Sequence, residues 1–114
     1  MDTEAQLFKA LAEPVRLRIL TLLLRGESCV CELMAVLDMP QSTVSRHLAY
    51  LKNAGLITGK RQGVWMYYKM AEAESDLHAG LIALLQSYLP GMAQSQKDLA
   101  ALAKNEATKE HKKC

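Results

Sequence analysis

Apolar residues recur along this chain with a helical rhythm that proline, glycine and short polar turns interrupt. Leu7, Phe8 and Leu11 fall on one side of a first segment that Thr3 can cap and that stops near Glu13-Pro14. Pro14 suits the first turn of a second helix, in which Val15, Ile19, Leu20, Leu22 and Leu23 are apolar nearly all round and Gly26 marks the stop. A helix without a polar face belongs at the centre of a fold. A third helix is predicted from about Ser28 to Leu37, with Leu33, Val36 and Leu37 as its apolar set, and Asp38-Met39-Pro40 supplies a short turn. In the fourth, Val44, Leu48 and Leu51 recur at i, i+4 and i+7, Ser42, Arg46, Ala49, Tyr50 and Asn53 take the opposite side, and Gly55 ends the helix.

The period then changes. Leu56-Ile57-Thr58 and Val64-Trp65-Met66-Tyr67-Tyr68 are rich in strand formers, and the basic stretch Gly59 to Gly63 between them predicts a hairpin whose tip carries Lys60 and Arg61, with Trp65 anchoring it to the core. A fifth helix follows from about Ser75 to Leu89. Past Pro90-Gly91 a further helix is expected around Leu99 and Leu102, before a tail that ends at Cys114. Two helices joined by a short turn and followed by a hairpin make a winged helix-turn-helix. The expected architecture is mainly α with a small β-hairpin, in the order α1-α2-α3-α4-β-β-α5. Residues 1–90 are expected to form one domain, for DNA binding and dimerisation, and 91–114 a C-terminal extension expected to be partly helical and then flexible. Leu77, Leu81, Leu84, Leu85 and Tyr88 leave an apolar stripe on the fifth helix, which together with Leu7, Phe8 and Leu11 of the first predicts an isologous homodimer.

Charge sharpens this picture. The net charge of +2 says little, but all twelve acids lie outside residues 39–71, where Arg46, Lys52, Lys60, Arg61 and Lys69 stand unopposed. That distribution is the footprint of a surface that faces phosphates. Double-stranded operator DNA is the expected partner: Gln41, Ser42, Thr43, Ser45, Arg46 and Tyr50 of the fourth helix face the groove, His47 packs or meets a phosphate, and Lys60, Arg61 and Gln62 of the wing lie along the backbone. The acidic start Met1-Asp-Thr-Glu lacks the basic region of a signal peptide and no apolar run reaches membrane-spanning length, so a cytoplasmic protein with no membrane partner is expected. An enzyme is not expected, because no Cys-x-x-Cys, no βαβ alternation and no acid/base pair accompany the thiols.

Three cysteines, an odd number without a regular framework, read as reduced thiols. Cys29-Val30-Cys31 opens the third helix, and thiolates prefer soft, thiophilic ions. On a regular helix, residues two apart point about 200° from each other. Gripping one ion is therefore expected to strain or unwind the start of the third helix and so reorient the fourth.

Glu27-Ser-Cys-Val-Cys-Glu-Leu33, Ser45-Arg-His-Leu48, Ala54-Gly-Leu-Ile57 and Gln62-Gly-Val-Trp65 resemble the ArsR/SmtB family of metal-responsive repressors, over roughly residues 5 to 90. Within it the chain is most similar to the arsenic-responsive members, in which a Cys-Val-Cys-(Asp/Glu)-Leu-Cys sequence takes As(III) or Sb(III) through thiolates and the repressor leaves its operator. The resemblance implies As(III) or Sb(III) as inducer with no organic cofactor. Met34 stands at the third position of that motif, and its thioether is a weaker partner than thiolate, so the resemblance implies Cys29 and Cys31 as ligands, with Cys114 of the tail either the missing third donor or a terminal thiol with no role. Asp76-Leu-His78 resembles the first half of a zinc site found in some relatives, but Leu89 and Met92 stand where a histidine and an acid should follow; zinc is not expected, and His78 is expected as a partly exposed residue of the dimer helix. Alternatives are the same repressor fold sensing another thiophilic metal, or oxidants or reactive sulfur, through the same cysteines, and a winged helix used for protein interaction.

Overall fold

The computed structural model describes residues 1–108. Along the chain lie α1 (Asp2–Leu11), α2 (Pro14–Arg25), β1 (Ser28–Cys29), α3 (Val30–Leu37), α4 (Gln41–Asn53), β2 (Ile57–Gln62), β3 (Trp65–Met70), α5 (Asp76–Tyr88), a 3-10 turn (Leu89–Gly91) and α6 (Ala93–Thr108). The strands form one antiparallel sheet in the order β1-β3-β2. This is the expected winged helix-turn-helix with a short third strand added.

Each boundary has a local cause. The Glu13 carboxylate accepts the Val15 and Arg16 amides at 2.6 and 3.3 Å, and Pro14 occupies the first turn, so α2 starts where two free donors are capped. Its Ile19, Leu20, Leu22 and Leu23 are buried, and around them close Leu33 and Leu37 of α3, Val44, Leu48 and Leu51 of α4, and Leu56 and Ile57. Between α3 and α4, Asp38 takes the left-handed region at φ 56, tolerable for a short polar side chain, and the Asp38 and Met39 amides both return to the Met34 carbonyl. At the end of α4, Gly55 (φ 84) does the same work and the Leu56 amide bonds back to Leu51.

The hairpin is tighter than its sequence suggests. The strands run on until Gln62 faces Trp65, so only Gly63 and Val64 form the turn, with Gly63 at φ 66. A two-residue turn with glycine first matches the twist of paired strands. Lys60 and Arg61 therefore sit on β2 and not in a loop. Gly59 lies under Tyr68, where an added Cβ would come within 2.6 Å of the ring. Trp65 is half-buried against the core, as expected.

The helix expected around Leu99 and Leu102 is longer, and it packs on α2 and α3 with Leu102 in the core. Arg18 of α2 forks onto Asp98 of α6 at 2.9 and 3.0 Å, Gln94 supports the same carboxylate at 3.0 Å, and Asp98 is buried. Arg25 pairs with Glu106 nearer the end of α6.

Candidate nucleic-acid interface and sulfur pair

The face of α4 turned away from the core is an open polar surface. Gln41, Ser42, Ser45, Arg46 and Tyr50 are exposed and Thr43 is half-buried, while Val44, Leu48 and Leu51 are fully buried behind them. On the wing, Lys60, Arg61 and Gln62 are exposed, as are Lys52 and Lys69, so all five bases of the acid-free stretch reach solvent. His47 takes the packing one of its two expected roles. It is only 7% exposed, and its Nδ1 faces Arg16 Nη1 at 3.3 Å. Its position on the helix flank, between the packed and open faces, turns the ring into the protein. Burial and the nearby Arg16 and Arg46 hold its pKa below the usual imidazole value, with Glu13 acting in the opposite sense.

The sulfur pair corrects the geometric expectation outright. Cys29 is not on the helix: it lies on β1 at φ −74 and ψ 147, and α3 begins only at Val30. Extended backbone at one cysteine and helical backbone at the other bring the two sulfurs to 2.9 Å without any unwinding. Cys29 also caps α3, its sulfur accepting the Cys31 amide at 3.4 Å, while the Glu32 carboxylate accepts the Cys29 amide at 3.0 Å. This is a capping box with sulfur in the usual place of hydroxyl oxygen. Across the sheet Cys29 pairs with Tyr67 and Ser28 with Tyr68 of β3. The pair thus stands where the helix-turn-helix joins the wing, with Cys29 buried and Cys31 half-buried. Met34, one turn on, is half-buried against the core. Cys114 lies outside the described residues.

Two further expectations change. Leu7 is 3% exposed within a single chain and has no surface left for a partner; Phe8, Leu84 and Tyr88 are exposed and Leu11, Leu77, Leu81 and Leu85 half-buried. His78 is 2% exposed and not partly so, because Ser75 caps α5 and turns the ring inward, where Nδ1 accepts the Glu74 amide at 3.2 Å. Its Nε2 has no partner among the described residues. Leu89 is buried and Met92 exposed, neither a zinc donor, and among the described residues no three His, Cys, Asp or Glu side chains gather around a common point. No described helix is long and apolar enough to cross a membrane. Sequence reading also missed β1 and the role of Arg16: two residues carry no periodicity, and an arginine in a buried helix signals no particular contact.

Residues 13–58, from the start of α2 to the start of β2, match the model of the bacterial regulatory protein arsR family. The arsenic resistance transcriptional regulator ArsR2 of Pseudomonas putida is 38% identical over 106 residues, covering 92% of this chain and 90% of that regulator. The chain belongs to the ArsR family. Like the other ArsR/SmtB proteins it is a transcriptional repressor with a DNA-binding winged helix-turn-helix. The arsenical resistance operon repressor of Escherichia coli is 48% identical over 67 residues, a match that covers 58% of this chain and 57% of that repressor. A homodimeric winged helix-turn-helix DNA-binding domain from Mycobacterium bovis superimposes with a TM-score of 0.65 at 32% identity, covering 96% of this chain and 89% of the other.

Proposed function

We propose that this ArsR-family repressor holds operator DNA as a homodimer in the cytoplasm and releases it when As(III) or Sb(III) is captured by Cys29 and Cys31. The observation that carries the reading is the 2.9 Å separation of the two sulfurs at the joint between wing and α3. Relatives named for arsenic resistance support it. Capture exchanges hydroxide on As(OH)3 for thiolate: each thiol gives its proton to a departing hydroxide, water leaves, and arsenic stays trivalent. Cys114, outside the described residues, is the proposed third donor in place of Met34.

Two thiolates on one pyramidal trivalent ion stand farther apart than 2.9 Å, so capture opens this pair. The opening takes the Cys29 sulfur off the Cys31 amide that it caps and tugs the strand paired with Tyr67, so the start of α3 and the wing both shift. Gln41, Ser42, Thr43, Ser45, Arg46 and Tyr50 are proposed to read the groove, with Lys60, Arg61 and Gln62 on phosphates. Phe8, Leu11, Leu77, Leu81, Leu84, Leu85 and Tyr88 are proposed as the dimer face.

The test is DNA binding of Cys29→Ser, Cys31→Ser and Cys114→Ser with and without arsenite. The first two keep DNA binding and lose release; the third decides the tail. Release from DNA by arsenite in a Cys29→Ser, Cys31→Ser double variant would falsify the reading. A second reading keeps the repressor and makes peroxide the inducer through the same cysteines, the peroxide taking two electrons and two protons from two thiols and leaving as water. Mass spectrometry after peroxide and after arsenite separates the two inducers.

A further inference from the structure

Arg16 lies outside both the reading face and the sulfur pair, yet from α2 it touches two other helices. Its Nε donates to the Ala10 carbonyl at 2.8 Å and its Nη2 to the Lys9 carbonyl at 3.0 Å, both at the end of α1, where carbonyls lack helical partners. Its Nη1 meets His47 Nδ1 at 3.3 Å, and its Cζ sits over the Tyr50 ring at 4.1 Å from the centroid. Arginine has only donors, so His47 is the acceptor and its ring is neutral in this contact. One guanidinium uses its planar fork, its edge and its face at once, which the point charge of a lysine would not reproduce.

The place where it grips α4 matters. At about 100° per residue, Val44, Leu48 and Leu51 make the packed face and Ser42, Arg46 and Asn53 the opposite one, while His47 and Tyr50 fall on the flank between. The apolar knobs set how deep α4 sits. A flank contact resists its roll about its own axis. A roll of ~20° sweeps a side-chain tip about 6 Å from the axis by ~2 Å, enough to break a hydrogen bond to a base edge.

We propose that Arg16 is a positioning residue for DNA recognition: by fastening the flank of α4 to the end of α1 it fixes the roll of the reading face, without itself touching DNA. The proposal rests on α4 being the reading helix. It ties base readout to α1, the helix that carries Phe8 and Leu11. It also makes recognition acid-sensitive. The charged groups facing His47 are Glu13 and Arg16 from α2 and Arg46 from its own helix; protonation removes the acceptor and sets a cation against the guanidinium.

The experiment uses the full chain and a duplex selected by the wild-type protein from a random-sequence pool, against a scrambled duplex. Arg46→Ala comes first: if it binds the selected duplex like wild type, α4 is not the reader, and the proposed function fails there whatever Arg16 does. With that arm passed, Arg16→Gln and Arg16→Lys should each weaken the selected duplex tenfold or more, leave the scrambled duplex unchanged and keep the wild-type salt slope. Selected-duplex binding within twofold of wild type overturns the proposal. So does a salt slope reduced by about one, the mark of a lost phosphate contact. Where Arg16→Gln fails to fold, the pH profile decides. The wild-type preference for the selected duplex should fall as pH is lowered until His47 protonates, followed by its ring NMR shifts, and that of His47→Gln should stay level; a wild-type preference unchanged once the ring is protonated overturns the proposal.

Discussion

The two halves of the helix-turn-helix are built on different principles. α4 is specified by its own repeat: three buried apolar residues fix one side, and everything opposite is left open to solvent. The start of α3 is held partly from far away, because extended Cys29 both caps the helix and pairs with Tyr67 on the wing. A surface made by periodicity is stiff and readable, whereas a joint made by a two-residue strand has few bonds to lose. The rigid half suits recognition. The lightly held half suits a switch.

That contrast can be broken experimentally. The largest effect is expected from Leu48→Ala, which removes the central knob of α4 and should cost ~2–5 kcal/mol of stability in chemical denaturation. A loss below 1 kcal/mol would mean that α4 is not anchored by its repeat. Next comes Arg46→Ala, expected to weaken specific DNA binding by ~1–3 kcal/mol while leaving the melting temperature nearly unchanged, by fluorescence anisotropy and calorimetry. Smaller again, Cys29→Ala should cost ~1 kcal/mol through the lost cap, and Cys29→Ser much less, since hydroxyl oxygen caps well. Equal melting points for the two variants would remove capping from the account of the joint.

The smallest effect is a pH dependence. The folded His47 pKa lies below its unfolded value, so the unfolded chain binds the proton more readily and stability declines as pH falls from about 6.5 through the lowered folded value. Denaturation at pH 7.5 and pH 5.5 should show a drop in wild type that is reduced in His47→Gln. Identical drops would assign the effect to other groups.

The same contrast explains what could be read from the sequence. Val44, Leu48 and Leu51, Pro14 after Glu13, and Gly55 are local signals, and the elements they predict are present. The dithiol was visible as a motif, but its geometry was not: a helix from Ser28 would drive the sulfurs apart, and Cys29 is instead the extended N-cap of α3, paired with Tyr67. Arg16, His47 and Tyr50 are separated by some thirty residues and meet only through the packing of α2 on α4. The hairpin was placed correctly but cut short, because Lys60 and Arg61 look like loop residues until pairing extends β2 past them.

A wing whose turn is a single Gly-Val step has no slack. Paired from Ile57–Met70 to Gln62–Trp65, it is a stiff ribbon that carries Lys60 and Arg61 on opposite faces of one strand. Its conformational freedom is surrendered when the chain folds, not when it meets DNA, so docking needs no disorder-to-order step and should lack the large negative heat-capacity change that accompanies coupled folding. Adaptation to differently shaped operators then falls to the DNA, and those whose backbone bends most readily toward the ribbon should be favoured even where no base is touched.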